Sequence, residues 1–380
     1  MISTFASFPS LYVATLLMLV STGLFNTYVA LKLTSESVSA LWIGALMSAY
    51  YVGLCTGARV GNYLILQVGH IRACATAAVV SICSILAQSL FDSLPVWIGL
   101  RLIVGIAMSI QYIVVESWLH AQTQNTHRGR VMSVYLVMSS TGTALGQLAI
   151  TLYPTLDLRI LIFVALCQAL SLLPILLAKL KPPVMQLPTP VDLRYFSKVA
   201  PMALITAFFS GNISASFYGL AAVYAADQGF STRQVAFYTA TTVIAGLVAQ
   251  WPMGWLSDRV DRAKLVRNNA LIFTAIAALM WGWVSWPYWL MLLFSAGLGV
   301  IQFTLYGLAS GLSNDRVQED RRVGASAVVL IVYSVGAALG PLLSGALMRL
   351  GGTGMLYVFS SVCALLLVLC MTRFSTRRTR

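Results

Sequence analysis

In this 380-residue chain one carboxylate, Glu116, stands well inside a long apolar run, and a carboxyl in that setting has two chemical uses. Burial disfavours its charged form, so it can take up and release a proton near neutral pH. Set against a cation, it can instead close an ionic gate. Two arginines, Arg59 and Arg101, also stand inside apolar runs. A cation at the centre of a bilayer costs about 2.5–3.5 kcal/mol on insertion scales, so such residues tend to have a purpose. For Arg101 the cheaper alternative is to reach back to the headgroups on its long stem. Arg59 falls at a depth similar to that of Glu116, and in a buried pair removal of either would strand the other. Arg59, Arg101 and Glu116 are the candidates for proton coupling.

Metal and enzyme chemistry have no comparable foothold. His120 follows Glu116 by four residues on one helical face, but no further ligands stand at matching positions. His70, His120 and His127 form no HExxH pattern, and none of the six cysteines forms a CxxC pair. The cysteines, all in apolar runs, read as small packing residues. No GxxxxGK[ST] phosphate loop is present, so neither a cofactor nor direct ATP coupling is expected.

Apolar runs of this kind make up nearly the whole chain. Of its residues 59% are hydrophobic and 9% charged, with mean hydropathy +0.83. A soluble domain carries about 25% charged residues, so soluble, disordered and disulfide-stapled classes are excluded. One span needs about 20 apolar residues, which leaves room for about a dozen. Hydropathy places them at 9–32, 40–66, 72–91, 95–121, 128–153, 158–179, 197–224, 233–256, 266–285, 288–312, 322–348 and 353–373. The fold expected is an all-α polytopic membrane protein of two pseudo-symmetric six-helix bundles.

The one sizeable polar break, 179–198, holds Pro182, Pro183, Pro188 and Pro190, which cannot continue a helix. It divides the chain into an N-terminal bundle 1–180, a linker 181–197 and a C-terminal bundle 198–380. With both termini inside, eighteen of the 24 Lys and Arg residues fall on the cytoplasmic side, including Arg72, Arg128, Arg130, Lys198, Arg262 and Arg322. That asymmetry sets the orientation, and it accounts for the net charge of +13 without a nucleic-acid partner. The first span lacks a basic leader and a cleavage site, so it is expected to be retained.

The halves repeat each other. Arg128, Gly142 and Gly146 return as Arg322, Gly336 and Gly340, each 194 positions on. Tandem six-helix units are a transporter signature, since two similar bundles can rock about a central site. The glycine pairs are expected to allow tight packing between the two halves, with a bend at Pro341.

Between spans 8 and 9 runs Gly254-Trp255-Leu256-Ser257-Asp258-Arg259-Val260-Asp261-Arg262-Ala263-Lys264. It resembles the G-x3-D-R-x-G-R-x-K loop of the major facilitator superfamily, with Asp261 in place of the second Gly. The resemblance implies a latch holding the cytoplasmic side closed, built from Gly254, Asp258, Arg259, Arg262 and Lys264. Gly254 would let helices approach closely. Asp258 would meet a helix N-terminus and an arginine of a neighbouring helix. The corresponding first-half loop keeps only Gly69 and Arg72.

Arg101-x3-Gly105 is similar to an element of proton-coupled members of that superfamily. Glu116, Arg128-Gly129-Arg130 and Gly146-Gln147 look like a stretch of its sugar porters, which implies a gate of Glu116 with Arg128 and Arg130. Glu116 therefore stays open between a gate, a proton site and plain solvation at a helix end. Val115-Glu116-Ser117, Gln250-Trp251-Pro252 and Gly336-x3-Gly340-Pro341 are similar to the YcaD branch of bacterial inner-membrane members.

The resemblance makes spans 1, 4, 7 and 10 the cavity helices. They offer Asn26, Tyr28, Gln111, Tyr112, Asn212, Tyr218, Gln302 and Tyr306, among Phe25, Phe217 and Phe303. Neutral amides among aromatics suit an uncharged or amphipathic small molecule. The reading is a secondary transporter of the inner membrane, with both termini cytoplasmic, working by alternating access on the proton gradient. Its partners would be a small-molecule substrate and membrane lipids, with no obligate protein partner. The alternatives are an uncoupled facilitator, an intramembrane enzyme and a transporter-derived receptor.

Overall fold

The computed structural model describes residues 8–123, 127–177, 193–318 and 321–376, which form helices and turns with no strand among them. A hydrocarbon core offers backbone groups no water, so a chain this apolar must satisfy them within helices. The first six long helices are α1 (Pro9–Ser35), α2 (Ala40–Val68), α3 (His70–Ala87), α4 (Leu94–Ala121), α5 (Arg128–Ala149) and α6 (Leu158–Leu177). The second six are α7 (Pro201–Asp227), α8 (Thr232–Ser257), α9 (Arg262–Leu279), α10 (Tyr288–Asn314), α11 (Arg322–Gly351) and α12 (Met355–Thr376). A short helix, Leu193–Val199, precedes α7. The twelve long helices match the expected spans in number and order.

Nine of them, among the described residues, are long and apolar enough to cross a membrane. The remaining three are α5, α8 and α9. α5 is rich in Ser and Thr, and α9 opens on Arg262, Lys264 and Arg267. Span 9 is the largest boundary correction, starting at Arg262 rather than 266 and ending at Leu279 rather than 285. Asp261 starts it early by accepting the Lys264 backbone N–H at 2.9 Å. Gly282, at φ 92°, lies in the turn beyond its end.

The chain divides into two compact units, Met1–Lys32 with Ala49–Leu187, and Leu33–Ser48 with Pro188–Arg380. In the first unit, Gly142 of α5 lies against α1, where a Cβ would stand 2.6 Å from the Leu16 carbonyl oxygen. Gly57 of α2 lies against α4, with a Cβ position 2.7 Å from the Ile106 carbonyl oxygen. In the second unit, Gly336 and Gly340 seat α11 on α7 at Phe208 and Asn212. Gly142, Gly146, Gly336 and Gly340 thus close helices within each unit, which corrects their expected place between the halves, whereas a Cβ on Gly345 would stand 2.5 Å from the Ala40 carbonyl oxygen of α2, in the same compact unit but in the other half of the sequence. Their spacing is the same for either partner, so the sequence alone did not choose.

Behind Glu116 the first unit is filled by Leu11, Tyr12, Val114, Trp118, Val131, Tyr135 and Ile175. The opposite pattern marks the lipid side. On α6, Leu158, Ile162, Leu166, Leu170, Leu173 and Leu177 are exposed at intervals of three and four residues. Such a stripe needs an apolar solvent, and a bilayer supplies it. Three cysteines, Cys74, Cys167 and Cys363, are buried, whereas Cys83 is exposed.

Candidate functional site

In the first unit, α4 carries a polar line through an apolar interior. Arg101 is fully buried, so it does not reach back to headgroups. Its Nη2 donates to Asn26 Oδ1 of α1 at 2.8 Å. The guanidinium lies 4.5 Å from the Phe25 ring centroid and 5.6 Å from that of Tyr50. Desolvated cation–π contacts of this kind contribute about 2 kcal/mol and offset part of the burial cost. Gly105, one turn on, lets α2 come close enough to bring Tyr50 there, and its own nearest neighbours are Tyr50 and Gly53.

Tyr112 falls eleven residues after Arg101, on nearly the same face of α4. Glu116 is one turn further. It accepts a hydrogen bond at Oε1 from the Tyr135 hydroxyl of α5, at 3.0 Å. Ser139, one turn along α5, donates its hydroxyl to the Tyr135 backbone carbonyl at 2.9 Å.

The expected Arg59–Glu116 pair is not formed. Arg59 is exposed, and among the described residues neither it nor Arg130 makes an ion pair with Glu116. The reason is helical register. Gly53 and Gly57 occupy the face of α2 that meets α4, and Arg59 stands roughly 200° around from Gly57. The Arg128 side chain lies outside the described residues. Tyr135 and Tyr50, which complete this site, were not singled out in the sequence. A lone tyrosine in an apolar helix carries no signal of what faces it.

Two of the amide candidates are occupied by helix packing, a correction to their expected place in a cavity. Gln111 Oε1 accepts from Gln168 Nε2 of α6 at 2.6 Å, both side chains buried. Asn212 Nδ2 donates to its own helix at Phe208 O, 3.0 Å away, beneath Gly336 and Gly340. Tyr28 is buried in α1.

In the second unit α7, α10 and α11 bring aromatics together. Tyr218 lies 5.3 Å and Phe217 6.1 Å from Phe303, between ring centroids. Tyr306 meets Tyr333 edge-on at 5.0 Å. Beside Phe303 in sequence, Gln302 is buried with its Nε2 unpartnered among the described residues. This set of aromatics and amides can stack on, and hydrogen bond to, an uncharged ring or polyol.

The 254–264 loop is built around Arg262. Its Nη2 donates to Asp258 at 2.7 Å, and its Nη1 pairs with Asp315 at the end of α10. Burial works against the Arg262 charge and the two carboxylates work for it. The carboxylates prevail, raising its pKa above the ordinary value. Asp258 caps the C-terminal end of α8. The helix N-terminus is capped instead by Asp261, the residue standing where the superfamily pattern has its second Gly. Arg259 stacks 3.6 Å from the Trp255 ring centroid. Lys264 donates its backbone N–H to Asp261. A Cβ on Gly254 would meet nothing within 4 Å, so the expected close helix approach is absent: the glycine lies at an exposed helix end. Asp315 was missed, although as one of eleven acidic residues at a span end it was open to notice.

Among the described residues no group of three His, Cys, Asp or Glu could hold a metal ion. The sequence model of the Major Facilitator Superfamily matches residues 11–313 and 202–380. The chain is 27% identical over 360 residues to an "Uncharacterized MFS-type transporter YcaD" of Escherichia fergusonii, covering 94% of this chain and 93% of that one. It is 28% identical over 364 residues to an uncharacterized MFS-type transporter of Enterobacter sp., with the same coverage. Among solved structures it is similar to the nucleoside transporter NupG, at TM-score 0.82 and 12% identity, over 96% of this chain and 98% of that one. It is also similar to a D-xylose-proton symporter, at TM-score 0.78 and 14% identity, over 97% of each.

Proposed function

Because the chain belongs to the Major Facilitator Superfamily, we propose that it is a proton-coupled secondary transporter carrying a small neutral or amphipathic solute by alternating access. The observation that carries the coupling is Glu116: a carboxyl within a helix interior whose described partner is a phenol rather than a cation. A phenol does not hold a carboxyl charged as a cation would, so such a group can change protonation as its surroundings open and close. Of the gate cations, Arg130 is exposed and makes no ion pair with Glu116 among the described residues, while the Arg128 side chain lies outside them, so a gate of Glu116 with Arg128 is the second reading.

The solute class rests on the second unit. The aromatics Phe217, Tyr218, Phe303 and Tyr306 with Gln302 favour a molecule recognised by stacking and neutral hydrogen bonds. The solved structures named for nucleoside and D-xylose-proton transport fit that reading, though at 12–14% identity they speak for the fold. The asymmetry of Lys and Arg supports a place in the bacterial inner membrane with both termini cytoplasmic. The 254–264 loop would then lie on the cytoplasmic side, with Arg262 as the centre of the latch.

Proteoliposomes holding a pH-sensitive dye, challenged with nucleosides, sugars, amino acids and amphipathic cations, test this. A solute-dependent proton signal is expected, and Glu116→Gln should keep solute exchange while losing that signal. Solute flux with no proton movement in the unmutated protein would overturn coupling and leave an uncoupled facilitator. Binding without flux would favour a receptor, and chemical turnover of a lipid an enzyme.

A further inference from the structure

Along one face of α8 runs an apolar stripe with a cation at each end. Phe237, Ile244, Val248, Trp251 and Trp255 are all exposed. At the helical turn per residue they fall within about 40° of one line along the helix. Phe237 and Trp255 are eighteen residues apart, so ~27 Å separates the two aromatic ends. A hydrocarbon core is about 30 Å thick, so the stripe is nearly as long as the apolar layer of a membrane. Each end carries an arginine set over its aromatic ring. The Arg233 guanidinium lies 5.9 Å from the Phe237 centroid, and that of Arg259 lies 3.6 Å from the Trp255 centroid. Aromatic rings with a long basic side chain beside them mark the headgroup level. Hydropathy leaves α8 out of the apolar spans, yet this face has the length of one and a marker at both ends.

The two ends are not alike. Arg233 sits at the looser distance, whereas Arg259 is followed by Lys264 and Arg267 in the first two turns of α9. The nearby carboxylates are already engaged: Asp258 accepts from Arg262, and Asp261 from the Lys264 backbone N–H. Arg259 is exposed and, among the described residues, makes no ion pair. A guanidinium over an indole keeps its N–H edge for a second partner, and its fork suits two oxygens of a phosphate. We propose that Arg259 on Trp255 binds the phosphate of an anionic phospholipid whose acyl chains lie along the α8 stripe. The occupant is an amphiphile because the face beside Trp255 is apolar over the depth of a leaflet, while the group at its end is a cation. Lys264, exposed on the next turn of chain, favours an anionic headgroup over a zwitterionic one. A lipid held there ties the 254–264 loop, and with it the Asp258–Arg262 pair, to the membrane surface. The inference needs only that the chain spans a membrane, and it stands apart from Glu116 and from the solute.

The test uses the full chain in phosphatidylcholine liposomes doped with a minor fraction of acyl-brominated lipid, either phosphatidylglycerol or phosphatidylcholine. Bromine quenches indole emission on contact, and the Trp255 share is the emission lost in Trp255→Phe. Brominated phosphatidylglycerol should quench that share about two-fold or more better than brominated phosphatidylcholine. Arg259→Gln should bring the ratio to one. Arg72→Gln, which removes an equal charge at the start of α3, should leave it unchanged. Inorganic phosphate added at constant ionic strength should not abolish the preference; if it does, the site is one for free phosphate and not for lipid. Equal quenching by both lipids in the unmutated protein, or a preference that survives Arg259→Gln, would overturn the site. Loss of the preference in both variants would reduce it to net charge and overturn it too. No quenching of Trp255 by either lipid would show that this face of α8 is not on lipid, with the same consequence.

Discussion

Arg101 is held by an amide oxygen and two aromatic faces, and that setting separates what it does for stability from what it does for function. Truncation to Ala removes a large buried side chain and leaves a cavity, a change that costs about 2–5 kcal/mol for large buried residues. Arg101→Met instead keeps most of the volume and removes a desolvated charge, which is often neutral or stabilising. The acceptor at Asn26 loses its donor in both cases. Thermal unfolding in detergent should therefore rank Arg101→Ala well below Arg101→Met, with Met near the unmutated protein. Solute-driven proton uptake should be lost in both. An Arg101→Met protein that transports normally would show that the charge has no part in transport.

Helix pairs in this protein meet on glycine, and the consequences differ by position. A methyl group at Gly105 would run into the Tyr50 carbonyl and the Gly53 Cα at 3.0 Å. Backbone cannot yield as a side-chain tip can, so Gly105→Ala should force α2 and α4 apart at a cost of about 1–3 kcal/mol. It should also disturb the Tyr50–Arg101 contact. Gly254→Ala meets open space and should leave the melting temperature unchanged or slightly raised, since Ala favours helix. Melting curves of the two variants side by side check the contrast, and equal losses would refute it. The same element-level logic explains Asp261. By capping α9 it takes up a role that the superfamily pattern, with Gly there, does not require.

Across the whole molecule the basic residues are expected to fix orientation, while the Arg262 cluster contributes little to stability. Asp258 is 73% exposed and Asp315 46%, so these pairs are screened and contribute about 0–1 kcal/mol. Arg262→Ala should accordingly leave thermal stability nearly unchanged while altering transport rate. A large fall in melting temperature would mean the cluster is structural. Orientation is checked separately with C-terminal fusions. Green fluorescent protein there should fluoresce and alkaline phosphatase should be inactive, and the reverse pattern would invert the assignment.

Composition determined the class of this protein, because 59% apolar residues with 9% charge have no stable arrangement in water. Hydropathy and the 194-residue repeat determined twelve helices in two sixes, since a bilayer span has a fixed length and a repeat keeps its fold. The same local signals put Glu116 and Arg101 inside helices. What they faced was a tertiary matter. Glu116 was matched with Arg59 on depth, but depth is one coordinate and the rotation of α2 about its axis is another. The glycines that turn α2 toward α4 turn Arg59 away. Gln111 and Asn212 read as ligand groups for the same reason: an amide looks the same in sequence whether it meets a solute or a neighbouring helix. Tyr135 carried no pattern at all, and Asp315, though noticeable as an acid at a span end, gave no sign of its partner, because those partners lie nineteen and fifty-three residues away and only packing brings them together.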